Sequence, residues 1–170
     1  MNASVKVFNS SVDHADHLTF LNHLDQSHEA VWRVANWINK KGYYVTIPPT
    51  TKSETHQEWE KHADNGDLLI TKSLQLEPSR VEVKRRGINF TGINDWPHKN
   101  FIVCASHAWD RANPKPYAII VLSKCMKFAG IVKASTEDKW YIEKKKDSRY
   151  IDYTQDFYII DLEHVQWIKL

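Results

Sequence analysis

The segment at positions 80–86 reads Arg80-Val81-Glu82-Val83-Lys84-Arg85-Arg86, in which two valines alternate with charged residues. Successive side chains of a β-strand point to opposite faces of a sheet, so this alternation predicts a strand with one buried face. Val81 and Val83 would point into the core, while Glu82 and Lys84 would be neighbours on the other face. The segment therefore predicts both a strand and a carboxylate placed beside an ammonium.

A second strand is predicted upstream, where Gly66 and Asp67 lead into the apolar run Leu68-Leu69-Ile70. The stretch from 68 to 81 is long enough for the chain to turn back and pair with the Glu82 strand as a hairpin. That pairing would bring the carboxylate of Asp67 beside that of Glu82.

Two carboxylates held side by side repel each other unless a cation lies between them. A site built from oxygen ligands selects Mg²⁺ or Mn²⁺, so Asp67 and Glu82 are predicted to bind one of these ions. Such a site would polarise a phosphodiester and activate a water, while Lys84 orients that water or stabilises the transition state. The pattern therefore indicates metal-assisted phosphodiester hydrolysis.

A second interpretation of the same residues is also open. A Glu-x-Lys triplet arises by chance roughly once in a few hundred positions, so the triplet alone is weak support for a site. An exposed strand face with a cross-strand salt bridge would account for it equally well. The alternative function is then a catalytically inactive domain that binds nucleic acid or another protein.

With Asp67 on one strand and Glu82-Val83-Lys84 on the next, the chain resembles the PD-(D/E)XK nuclease superfamily. The resemblance covers roughly residues 28–125. It implies the restriction-endonuclease-like fold, an α/β fold with a mixed central β-sheet flanked by helices, and a Mg²⁺-dependent endonuclease acting on DNA. Asp67, Glu82 and Lys84 match the catalytic residues, and the carbonyl of Val83 joins the two carboxylates as a metal ligand. The resemblance also allows a homodimer, although no residue marks an interface.

Many superfamily members carry a further acidic residue on the first core helix, and Glu29 is the residue that matches. In the predicted helix 27–41 the apolar residues form one broad face, and Glu29 lies on the opposite side with Arg33. A carboxylate at that position also suits a solvated site near the helix N-terminus, where it offsets the macrodipole. The sequence leaves both interpretations of Glu29 open.

Positive charge in this chain is local, because the formal net charge over 170 residues is only +2. A nucleic-acid surface would then have to be a patch. Arg85 and Arg86 follow directly on Lys84 and are predicted to contact the DNA backbone. Lys99, three residues after Trp96, combines charge with a stacking surface and is a further candidate contact.

Length and composition predict a single domain over residues 1–170, with residues 1–26 as an N-terminal extension or short helix. No stretch is long enough to cross a membrane, and no secretory signal is recognised, so a cytoplasmic location is expected. Cys104 and Cys125 lie in apolar runs and are predicted to be buried, reduced thiols. No Gly-rich phosphate loop supports a nucleotide cofactor.

Beyond Gly87 the chain is predicted to be largely extended, because its apolar runs are rich in β-branched and aromatic residues. The predicted strands are 101–105, 117–122, 128–133, 140–144 and 157–160. Residues 106–116 are predicted to be a connector, which leaves no helix after the Lys84 strand. Residues 162–170 are predicted to end the chain as a helix or a strand.

Overall fold

A computed structural model describes residues 28–49, 67–146 and 154–170. The predicted extension at 1–26 lies outside these residues. Helix α1 occupies 28–40 of the described chain, and the apolar face predicted from the sequence is buried. Gly42 follows with a φ of 85°, a left-handed conformation that glycine adopts without steric cost and that ends the helix as predicted.

The described residues contain nine strands and a second, short helix. The strands are β1 Tyr44–Thr46, β2 Leu68–Thr71, β3 Ser79–Arg85, β4 Asn100–Ala105, β5 Ala118–Leu122, β6 Phe128–Lys133, β7 Tyr141–Lys146, β8 Thr154–Asp161 and β9 Gln166–Lys169. Every predicted strand is confirmed, with ends that differ by a few residues. The C-terminal segment is a short 3-10 turn, Leu162–His164, followed by β9.

Six strands form a mixed sheet in the order β1-β2-β3-β5-β6-β9. β3 and β5 run parallel, and the other neighbouring strands are antiparallel. Leu68 pairs with Val81 across β2 and β3, which confirms the predicted hairpin return between the Asp67 and Glu82 segments. The coarse prediction of an α/β protein with a mixed sheet is therefore confirmed.

The two faces of this sheet are covered differently. Val81, Val83 and Ile120 pack with the apolar face of α1 in one core cluster. Ile119 and Val121 alternate with them and pack on the other side against Phe101 of β4 and its neighbours. A three-stranded antiparallel sheet, ordered β4-β8-β7, therefore covers much of the face that the prediction assigned to helices. That prediction is wrong for this face, because strand patterns do not reveal which sheet a strand joins.

Glycine permits close contact between the two sheets at one position. A Cβ added to Gly130 of β6 would lie 2.9 Å from Cζ of Phe101 and 2.9 Å from Cγ1 of Val165. These distances are shorter than side-chain contacts allow, so a larger residue would push the sheets apart. The ring of Phe101 therefore packs directly against the backbone of the six-stranded sheet.

Helix α2, Ser106–Arg111, corrects the prediction that 106–116 is a connector. It begins directly after β4 and buries only Trp109. A helix of six residues with one buried side chain shows no repeating apolar pattern, so periodicity could not reveal it. α2 lies in the crossover that joins β3 to the parallel strand β5.

Candidate active site

The carboxylate of Asp67 contacts the backbone of β3. The N–H of Val83 donates a hydrogen bond to Oδ2 of Asp67 at 2.7 Å, just where β2 begins. Leu68 pairs with Val81, so extending the antiparallel register by one residue sets Asp67 opposite Glu82. The structure therefore brings Asp67 to the Glu82-Val83-Lys84 triplet, as the hairpin predicted.

Glu82 is held by an arginine on its own strand. Nε and Nη2 of Arg80 donate to Oε1 of Glu82 at 2.9 and 2.5 Å. The two side chains are only 14% and 24% exposed, so this ion pair is shielded from water. Sequence reasoning missed Arg80, although the alternation that places Glu82 and Lys84 on one face places Arg80 there too.

Lys84 differs from Glu82 in its surroundings. Its side chain is half-buried, and its ammonium forms no hydrogen bond or ion pair with any described residue. It lies close enough to the Cys104 thiol to lower the pKa of that group by its charge. An ammonium in partial burial without a bound partner is suited to bind an anionic group that enters the site.

The second sheet forms one wall of this region. Burial raises the pKa of Cys104 on β4 to about 11, opposed by the charge of Lys84 and reinforced by that of Glu82. The negative charge of Asp110 on α2 also raises the pKa of Cys104. Asp110 accepts a hydrogen bond from the Tyr158 hydroxyl at 2.9 Å, and this bond raises the pKa of Tyr158. Glu82 and Lys84 thus lie where the two sheets and α2 meet.

The oxygen donors near β3 suit a hard divalent cation. Asp67 and Glu82 provide carboxylates from paired strands, and Oε2 of Glu82 accepts no hydrogen bond from the described residues. Mg²⁺ in proteins is often held by one or two carboxylates, with water and substrate phosphate completing its shell. Across the described ranges no three His, Cys, Asp or Glu side chains converge on a metal position. The predicted ligand set of two carboxylates and the Val83 carbonyl stays a prediction.

Glu29 is not brought to these residues. It is exposed on α1, and its Oε1 accepts hydrogen bonds at 3.2 Å from Nε and Nη2 of Arg33. α1 packs on the sheet face that carries Val81 and Val83, whereas Glu82 lies on the opposite face. The structure therefore favours the interpretation of Glu29 as a solvated helix carboxylate rather than a metal ligand.

The three cations predicted to contact DNA have different positions. Nη2 of Arg85 donates to the carbonyl of Lys124 at 3.1 Å, and alternation places its side chain on the α1 face, away from Lys84. Nη2 of Arg86 donates to the carbonyl of Ile102 on β4 at 3.2 Å. Both arginines hydrogen-bond to backbone carbonyls of the fold, and of the three cations Lys99 is the exposed one. Successive strand residues face opposite sides, so Arg85 and Lys84 are separated by the sheet, and the predicted DNA contacts of Arg85, Arg86 and Lys99 stay predictions.

Comparisons were made with models of known protein families, with curated proteins and with solved structures. None of the three gives a match to this chain. In the parts of the chain that the structure describes, no helix combines the length and the apolar character needed to span a membrane.

The two thiols have different surroundings, and the prediction that both are buried is wrong for Cys125. Cys104 is buried, whereas Cys125 is exposed in the turn after β5. A hydrogen bond with the Ser123 hydroxyl, 2.9 Å from the sulfur, lowers the pKa of Cys125, assisted by a backbone hydrogen bond from Lys127. Strand β5 ends at Leu122, so Cys125 belongs to the turn that follows rather than to the strand.

Thiol alkylation is expected to separate the two cysteines. Only thiolates react with iodoacetamide, and at pH 8 a thiol with a pKa of about 11 is about one thousandth ionised, so native Cys104 should remain unmodified while Cys125 reacts. Peptide mass mapping after a short exposure measures this difference, and labelling of the unfolded chain provides the control. Equal modification of both residues in the native protein would contradict the burial of Cys104.

Proposed function

We propose that this chain is a divalent-metal-dependent endonuclease that hydrolyses DNA phosphodiester bonds, with Asp67, Glu82 and Lys84 as its catalytic residues. The hydrogen bond from Val83 to Oδ2 of Asp67 is the observation that carries the proposal. It holds one carboxylate against the strand that bears the second carboxylate and the lysine. A cytoplasmic location belongs to the proposal, as does action on DNA.

The order of elements supports a restriction-endonuclease-like fold as part of this proposal. α1 is followed by the three antiparallel strands β1, β2 and β3, then by β4 of the second sheet, and then by α2 and the parallel strand β5. The superfamily resemblance implies a first helix, a strand, the Asp strand, the Glu-x-Lys strand and then a helix. In this proposal α2 would correspond to that last helix in shortened form.

Asp67 and Glu82 would hold the cation, aided by the carbonyl of Val83. The cation would supply a Lewis acid for the phosphate and a more acidic water. Lys84 would donate a hydrogen bond to the attacking water or to a phosphate oxygen, and its positive charge would stabilise the charge that develops as the phosphorus–oxygen ester bond breaks. The wall formed by β4 would limit the access of bulk water and strengthen these interactions.

The Arg80–Glu82 ion pair favours a second function. A carboxylate already neutralised by an arginine needs no metal, and such a pair is also what a catalytically inactive nucleic-acid-binding or protein-interaction domain would retain. The two functions differ in whether Glu82 exchanges Arg80 for a metal ion or keeps Arg80 as its partner. Metal-independent binding of nucleic acid without cleavage would favour the second.

A cleavage assay distinguishes these functions. The purified protein is incubated with duplex, branched and single-stranded DNA and with RNA, in Mg²⁺, in Mn²⁺ and in chelator. We expect products from DNA with either metal and none with chelator. The variant Asp67→Asn, purified in the same way, excludes a contaminating nuclease, since its preparation should be inactive. Tight binding with no product from any substrate would reject the endonuclease in favour of the binding domain.

A further inference from the structure

Arg80 and Glu82 form a bidentate contact on one carboxylate oxygen. Nε and Nη2 of Arg80 both donate to Oε1 of Glu82, and both side chains are mostly buried. Most surface ion pairs contribute little, but a shielded arginine with two donors on one oxygen binds firmly. The arginine therefore fixes the orientation of the Glu82 carboxylate.

The carboxylates of the site have cationic neighbours among the described residues. Arg80 and Lys84 share the face of β3 with Glu82, and the carboxylate of Asp67 lies against the same strand. Within the described part of the chain, two cations therefore accompany these two carboxylates. A divalent cation bound there would be repelled by the positive charge of Arg80 and Lys84.

We propose that Arg80 is a positioning residue for Glu82 that acts as a built-in counter-ion and weakens the binding of a divalent cation at Asp67 and Glu82. This inference rests on the metal site of the proposed function. The guanidinium donates two hydrogen bonds to Oε1, and a cation would compete with it for Glu82. Arg80 thereby sets the metal concentration at which the site becomes active.

Direct measurement of Mn²⁺ binding tests this role without depending on cleavage. Free Mn²⁺ is followed by electron paramagnetic resonance as it is titrated into the unsubstituted protein and into Arg80→Gln. The variant is expected to bind Mn²⁺ about tenfold more tightly, because one positive charge beside the cation is lost in a partly buried site. Unchanged or weaker binding would overturn the inference.

Two further variants isolate the cause. Arg33→Gln removes the same charge from the exposed Arg33–Glu29 pair on α1 and should bind Mn²⁺ like the unsubstituted protein. Arg80→Lys retains the charge and should also stay close to that affinity. Tightening in Arg80→Lys as large as in Arg80→Gln would exclude the charge of Arg80 as the cause and overturn the inference.

Loss of Arg80 leaves a shielded carboxylate unpaired and risks misfolding, so a second measurement uses the unsubstituted protein. The Nε–H signal of Arg80 is followed by NMR during titration with Mg²⁺. We expect this signal to shift with the same midpoint as metal binding, because Glu82 exchanges its partner. A signal that stays fixed through saturation would overturn the inference.

The inference and the proposed function can fail separately. Mn²⁺ that binds the unsubstituted protein and is lost in Asp67→Asn, with no tightening in Arg80→Gln, overturns only the role of Arg80. Absence of Mn²⁺ binding in both the unsubstituted protein and Arg80→Gln overturns the role of Arg80 and the metal site together.

Discussion

Replacement of Lys84 by alanine is expected to slow Mg²⁺-dependent DNA cleavage by about 10²- to 10⁴-fold, the usual loss when one group that stabilises transition-state charge is removed. The ammonium of Lys84 is half-buried and has no hydrogen-bond or ion-pair partner among the described residues. Its charge is therefore available to a phosphate or a water. Stability should change little, because the substitution breaks no ion pair within the described residues.

Single-turnover cleavage rates measure this effect, and thermal unfolding verifies that the variant is folded. Lys169→Ala is the matched control, since Lys169 is also a strand lysine but is exposed on β9. We expect the control to cleave at the unsubstituted rate. A folded Lys84→Ala protein with full activity would remove Lys84 from the mechanism and leave the carboxylates without their predicted partner.

The local patterns of this sequence predict strands well, because alternation and β-branched content act over a few residues. β3 is an example, since the valines that alternate with Arg80, Glu82 and Lys84 are the buried ones. The hairpin of β2 and β3 could also be predicted, because the connection is short and the apolar residues specify the register. Local sequence patterns therefore predicted the pairing of the Asp67 and Glu82 segments correctly.

Features that depend on distant contacts could not be predicted in this way. The second sheet forms because β4 and β8 pair with each other across more than fifty residues of chain, and no local pattern encodes that choice. The ion pair between Arg80 and Glu82 depends on side-chain rotamers, which alternation does not specify. The direction of Arg85 away from Lys84, in contrast, follows from alternation along β3. The position of Glu29 follows from which sheet face α1 covers, which the sequence leaves open.

Replacement of Phe101 by alanine is expected to lower the free energy of unfolding by about 3–5 kcal/mol, as for other large aromatic side chains in a core. Phe101 is fully buried, and its ring centroid lies 4.8 Å from that of Trp96 and 5.6 Å from that of Trp167. The ring also lies against Gly130, so its removal leaves a cavity between the two sheets that backbone cannot fill. Chemical denaturation measures the change, with Ile142→Ala, exposed on β7, as the control expected to lose far less.

The same variant tests whether the two sheets unfold as one domain. If Phe101 joins them cooperatively, fluorescence and circular dichroism should report one coincident transition, shifted to lower denaturant. β4 also carries Cys104 beside Lys84 and accepts the Arg86 hydrogen bond at Ile102, so loosening β4 would open the wall of the proposed site. Cleavage should then fall along with stability. Two separate unfolding transitions would contradict a single cooperative domain. They would mean that the second sheet, which packs over Glu82 and Lys84, unfolds independently.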